Sequence, residues 1–342
     1  VVIFSEAFRK NSVISLQVQN TEKSIVPPQV VIVGSTNWDI CLYLPELPTP
    51  GETVGGGRMK TAIGGKGANQ AVACLRSGAA ARFVSCVGDD ESAASILNAF
   101  REFGLDTAAV NSVEDCNTGT ACIFIDARGE NCIGLTPGAN NHLDVAALKS
   151  AAHFVSEADV LLLQLETPVE GVQWAAQYAQ QSGTRVILNP APAQPLPLEI
   201  YEYVDVLTPN RGELARLTGI ETDTDAGLKN ACIELTQRGV GSVLVTLGEE
   251  GAFLHGALGE ARFGAFEVQA VDTTAAGDVF NGYFAASYGQ FIKNGSASDQ
   301  VAVEAIIRRA MAAAAIAVTK EGAMPSIPMK DEVEKLLRSE RE

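Results

Sequence analysis

Six short apolar runs recur along the chain, and each closes on polar or glycine residues: QVVIVGS (29–35), RFVSCVG (82–88), ADVLLLQLE (158–166), TRVILNP (184–190), VDVLTPN (204–210) and GSVLVTLG (241–248). Runs of this length without alternation read as strands buried on both faces. Between most of them the apolar spacing becomes helical, over 67–79, 91–104, 169–183 and 226–239. Gly104, Gly183 and Gly239 stand where those helices should stop. Strand and helix in strict succession predict an α/β fold, a doubly wound and mostly parallel sheet with helices on both faces. Such sheets bind ligands beyond the carboxyl ends of their strands. The polar residues of this chain cluster at those ends.

Two segments break the rhythm. Residues 39–60 and 118–135 are strand-like, carry turn signals (Pro-Thr-Pro-Gly; Ala-Arg-Gly-Glu) and have no helical spacing. The second reads as a hairpin, the first as strands around a longer loop. Together they predict a small accessory sheet, discontinuous in sequence, with a face to be hidden by substrate or another subunit. Residues 1–28 show neither period and end in Pro-Pro, which predicts an extension loosely attached to a compact unit over 29–342.

The net charge of −16 speaks against nucleic acid as a partner, and no apolar run is long enough for a membrane span. Seven cysteines without a CxxC pair fit buried thiols in a reducing compartment, hence a cytoplasmic location. The three histidines are scattered, so a zinc site and histidine catalysis find no support.

GGKGANQA (64–71) fails the P-loop pattern and the dinucleotide pattern alike. It reads equally as a plain glycine-rich turn or as a concave set of backbone N–H groups, with Lys66 and Asn69 beside it, suited to hydroxyls or a phosphate. DTTAAGD (272–278) is more telling. It follows an alternating, strand-like segment (263–271) and opens a helix whose first-turn N–H groups lack backbone partners. Ala275, Ala276 and Gly277 leave room for a phosphoryl group. Asp278 would accept the proton of an attacking hydroxyl. Elsewhere Asn210 and Glu213 could hold a hydrated magnesium ion, while Glu166, Asn37 and Asp39 could accept sugar hydroxyls.

These motifs, in this order and spacing from residue 29 to about 330, resemble the carbohydrate kinases related to ribokinase; NPAP (189–192), TLGEEG (246–251) and AVTKEGAMPSIP (317–328) add to the likeness. The resemblance implies ATP-dependent phosphorylation of the 5-hydroxyl of D-ribose, with Asp278 as base and 275–277 as anion hole. Sugar contacts are implied for Asn37, Asp39, Gly65, Lys66, Gly67, Ala68, Asn69, Glu166 and Asp278. For the nucleotide they are Asn210, Thr246, Leu247, Gly248, Glu249, Glu250, Gly251, Gly277, Asp278 and Met311. An activating potassium ion is implied at Asp272, Thr274, Ala317, Lys320, Gly322 and Ser326, and magnesium, through water, at Asn210 and Glu213. The accessory strands would be a lid that pairs two subunits as a homodimer. Trp38 stands where the family usually has a small residue, and residues 1–28 have no family counterpart. The rival readings are a family kinase for deoxyribose, fructose or a nucleoside such as adenosine, a catalytically silent sugar-binding protein, and a lyase. The last lacks a poised Lys–carboxylate pair.

Overall fold

The computed structural model describes residues 26–295 and 299–340. Most of the extension, residues 1–25, thus lies outside the described residues.

From the amino end the elements are β1 (Gln29–Val33), β2 (Asn37–Tyr43), β3 (Arg58–Gly64), α1 (Lys66–Arg76), β4 (Ala80–Val87), α2 (Glu91–Phe103), β5 (Val110–Ser112), β6 (Gly119–Ile125) and β7 (Asn131–Thr136). Then come α3 (Val145–Ser150), α4 (Ala152–Ser156), β8 (Val160–Leu163), α5 (Val169–Ser182), β9 (Arg185–Leu188), β10 (Val206–Leu207), α6 (Arg211–Thr218) and α7 (Asp225–Gln237). The remainder is β11 (Ser242–Thr246), β12 (Ala252–Gly256), β13 (Gly259–Phe263), α8 (Ala276–Lys293), α9 (Gln300–Ala317) and α10 (Lys330–Ser339).

Nine strands form one sheet in the order β13-β12-β11-β10-β9-β8-β1-β4-β5, parallel from β11 to β5 and closed by the antiparallel hairpin β12–β13. The apolar runs supply its centre because both faces are covered. Val30 and Ile32 belong to the core layer that includes α1, α8 and α9, whereas Val31 and Val33 belong to the opposite layer with α5 and α7. Left-handed glycines end α2 and α5 at Gly104 and Gly183 as the sequence predicts. The α7 stop falls one residue early, with Arg238 as the cap and Gly239 just beyond.

The two arrhythmic segments form a second sheet, β3-β2-β6-β7. β6 and β7 are the expected hairpin, and β2 and β3 pair antiparallel around a long loop. Three residues, 34–36, separate β1 of the large sheet from β2 of the second sheet. One expectation fails: 264–271 is no strand. Its apolar residues Ala265, Phe266, Val268 and Ala270 alternate because they wall a cavity, not because they pair with a neighbour.

Candidate active site

Helices α1 and α8 meet above the carboxyl ends of β1 and β8, and the residues at their amino ends build the site. Asp278, in the first turn of α8, is buried. Its carboxylate accepts Asn69 Nδ2 at 2.9 Å on one oxygen and Gln70 Nε2 at 3.0 Å on the other. Burial pushes its pKa up, against the pull of the Lys66 ammonium and the two amides. Burial works against the charge on Lys66 as well, but the carboxylates of Asp278, Glu166 and Glu213 hold it above its ordinary value. A carboxylate with a raised pKa beside a fixed cation is a workable proton acceptor near neutral pH.

The α8 terminus is open. Ala275 takes a left-handed backbone (φ 60°), unusual without glycine, and provides no side-chain cap. The Ala276 N–H is spent on the Thr273 carbonyl. Those of Gly277 and Asp278 have no acceptor within the helix. A methyl group added to Gly277 would meet nothing within 4 Å, so the space above it is free. Of the three residues expected to form an anion hole, Gly277 offers its N–H while Ala275 shapes the turn.

The α1 terminus is closed. Lys66 N donates to Glu166, Gly67 N to the Ser35 hydroxyl and Ala68 N to the Ser35 carbonyl. With its N–H groups engaged, GGKGAN fits the plain glycine-rich turn better than the anion cradle, the other of the two readings its sequence allows. A Cβ on Gly67 would come within 2.5 Å of the Gly34 carbonyl carbon, and one on Gly65 within 2.8 Å of the Ser35 oxygen. The glycines let α1 press against the β1–β2 turn, and Lys66, Asn69 and Gln70 provide the chemistry.

Across from α1, Glu166 accepts Ser35 Oγ at 2.5 Å and Lys66 N at 3.0 Å. Asn37 Oδ1 accepts Asn140 Nδ2 at 2.8 Å, a buried partner that the sequence reading missed. Asp39 lies against Gly64 of the neighbouring strand, and burial together with Glu166 raises its pKa to about 6.

Beyond α8 opens a cavity of about 510 Å³, lined by Thr246, Gly248, Glu249, Gly251, Gly277 and Met311 among the expected residues. Phe266, Phe280 and Val318 also line it and were not anticipated. Leu247 is buried, and Glu250 turns away to Arg211 and Arg262. Asn210 and Glu213 cap α6 reciprocally, which leaves the Asn210 amide nitrogen and one Glu213 oxygen outside that capping box. Burial raises the Glu213 pKa, partly offset by the Asn210 N–H and Lys66.

Of the residues expected around potassium, Asp272, Thr274 and Gly322 are brought together. Asp272 accepts the N–H groups of Thr274 and Gly322, tying the loop before α8 to the one after α9. Burial opposes its charge, yet these donors hold its carboxyl below the usual range. Ala317 O is occupied by Lys320 N, Lys320 Nζ pairs with Glu332, and Ser326 is buried.

An open helix terminus over a buried carboxylate, with an apolar cavity alongside, is a site suited to phosphoryl transfer. Residues 27–330 match the family described as pfkB family carbohydrate kinase, and the chain belongs to that family. It is 41% identical to a ribokinase of Haemophilus influenzae over 89% of this chain and 96% of the relative. It is also 35% identical to a deoxyribokinase of Salmonella typhi, over 87% and 95%. The structure of Arabidopsis thaliana ribokinase complexed with ribose and ATP superposes with a TM-score of 0.84 at 33% identity, covering 91% of this chain and 99% of that one.

Proposed function

We propose that the chain transfers the terminal phosphoryl group of ATP to the 5-hydroxyl of D-ribose, giving ribose 5-phosphate and ADP. The buried Asp278 carboxylate beneath the open α8 terminus carries this reading. Asp278 takes the hydroxyl proton, and the Gly277 N–H meets the charge that develops on the phosphoryl oxygens. Asn37, Asp39, Gly65, Lys66, Asn69 and Glu166 surround the sugar, with Lys66 and Asn69 bridging from sugar to base. Gly67 and Ala68 support that wall through their backbone packing.

The cavity flanked by Thr246, Gly251 and Met311 takes the adenine, and its apolar walls supply affinity by burial. Magnesium, held through water at Asn210 and Glu213, would neutralise phosphate charge. The Asp272 carboxylate and the Thr274, Ala317, Lys320, Gly322 and Ser326 backbone suit potassium, which prefers oxygen donors and here would stiffen the loop leading into α8. Met59, Ile133 and Leu135 are exposed on the lid, and a homodimer formed there would cover them. No described helix is long and apolar enough to cross a membrane; a cytoplasmic location is part of this proposal.

The test is ADP release from purified protein with ATP, magnesium and potassium, offering ribose, deoxyribose, fructose and adenosine in parallel. A strong preference for ribose is the expected result. Preference for deoxyribose, which the Salmonella relative keeps in view, would retain the chemistry and move the substrate. Exchange of potassium for sodium should slow turnover; equal rates would remove the cation site.

A further inference from the structure

Among the buried polar residues that take no part in the sugar and nucleotide contacts proposed above are Gln70, Gln164, Asn189, Thr208 and Asn281. Three of them occupy equivalent places. Gln164 follows β8, Asn189 follows β9 and Thr208 follows β10, on three adjacent strands. Gln70 comes down from α1, and Asp278 and Asn281 from α8. We infer that these side chains form a one-way relay of amides that fixes the Asp278 carboxylate for proton transfer, with Gln70 and Asn189 as positioning residues. The inference rests on Asp278 being the proton acceptor proposed above.

The direction of the relay follows from a group that can only accept. The Thr208 carbonyl takes Asn189 Nδ2 at 3.1 Å, so the Asn189 oxygen must face Gln70. Gln70 therefore turns its Nε2 toward Asn189 Oδ1 at 3.1 Å, and the second hydrogen of that nitrogen reaches Asp278 at 3.0 Å. Gln70 Oε1 is left to accept Gln164 Nε2 at 2.7 Å. A flipped Gln70 would aim its oxygen at the Asp278 carboxylate. Asn189 prevents this without touching Asp278.

The relay also grips the turn beside the base. Thr208 Oγ1 donates to Asn281 Oδ1 at 2.5 Å, and Asn281 Nδ2 donates to the Gly277 carbonyl at 2.8 Å. That carbonyl belongs to the same peptide unit as the Asp278 N–H. One scaffold thus orients both the carboxylate and the peptide of the open helix terminus.

The charged groups facing Asp278 are Lys66 on α1, Glu166 after β8 and Glu213 on α6. Asn69 and Gln70 are the neutral donors that complete the set, one on each carboxylate oxygen. Loss of Gln70 removes one stabilising hydrogen bond from the ionised form and frees the carboxylate to rotate.

The experiment measures kcat against pH for the wild type, Gln70→Leu, Asn189→Ala and the double variant, with ribose affinity measured separately in the absence of ATP. Gln70→Leu should lower kcat by about 30-fold and move its acidic limb up by about one pH unit, with ribose affinity held within about twofold. Asn189→Ala should cost about fivefold, and the double variant should be no slower than Gln70→Leu, because Asn189 acts through Gln70. An unmoved limb, or losses that multiply in the double variant, overturns the relay. Should Gln70→Leu not fold, Gln70→Glu keeps the shape and places a second carboxyl on Asp278. Its limb must move up further, and an unmoved one is equally fatal. A wild-type chain that phosphorylates no acceptor would remove the Asp278 reading and the relay together. An active wild type, an inactive Asp278→Asn and an unmoved limb would remove the relay alone.

Discussion

Helices α1 and α8 start alike and end up with opposite jobs. Each is preceded by a residue of positive φ, Gly65 or Ala275, that offers no side-chain cap, and each has glycine at its second position. At α1 the first-turn N–H groups are consumed by Glu166 and Ser35, and Gly67 presses against the Gly34–Ser35 backbone. At α8 the second position borders empty space. A helix start binds an anion only when its donors are left free. Whether they are free depends on what the preceding turn packs against.

The comparison can be broken most severely at the residue after each glycine. Asp278→Asn should lower turnover by at least about 100-fold with ribose binding nearly intact, whereas near-normal turnover would end its role as base. Gly277→Ala comes next. The added methyl would intrude where the phosphoryl group approaches, so kcat should fall about tenfold. The unfolding midpoint should hold or rise, since alanine favours a helix over glycine.

A pH signature tests the α1 side. Asp39 has its pKa raised to about 6 by burial and by Glu166. Protonation below that value removes an acceptor for a sugar hydroxyl, so KM for ribose should rise about tenfold between pH 7 and pH 5. Asp39→Asn should flatten the change, and a flat wild-type profile would exclude Asp39 from sugar binding. The smallest effect on activity belongs to Gly67→Ala. It should destabilise the fold by about 1–3 kcal/mol through overpacking against Gly34, while the molecules that do fold turn over normally. If Gly67→Ala and Gly277→Ala behaved alike, the contrast between the two termini would be wrong.

The alternation of strands and helices was legible because burial on two faces leaves long apolar runs, and the second sheet was legible because its segments interrupt them. Asp278 was legible as a candidate because the small residues before it leave room at a helix start, although an acidic first turn alone is common in α/β proteins. The closed state of GGKGAN was not legible. It depends on Ser35 and Glu166, which lie 32 and 100 positions away from their partners Gly67 and Lys66. Gln70, Asn140 and Asn189 escaped for the same reason. A neutral amide reads as a surface or cap residue until distant chain brings its partner. The alternation over 263–271 misled because a cavity wall and a sheet face impose the same period.

At the root of the lid Asn37 pairs with Gly64 on one side and Gly119 on the other. A Cβ on Gly119 would strike the Asn37 and Asn140 amides, and one on Gly64 would strike the Asp39 carboxylate. The polar groups proposed to touch the sugar thus sit at the fulcrum of a lever, and the exposed apolar residues Met59 and Ile133 lie farther out along its arm. If the small sheet moves as the proposed lid, a rotation about the root would sweep the arm through a wide arc and leave Asn37 and Asp39 almost stationary. The proposed lid, hinged this way, would swing without letting go of the sugar it is proposed to hold.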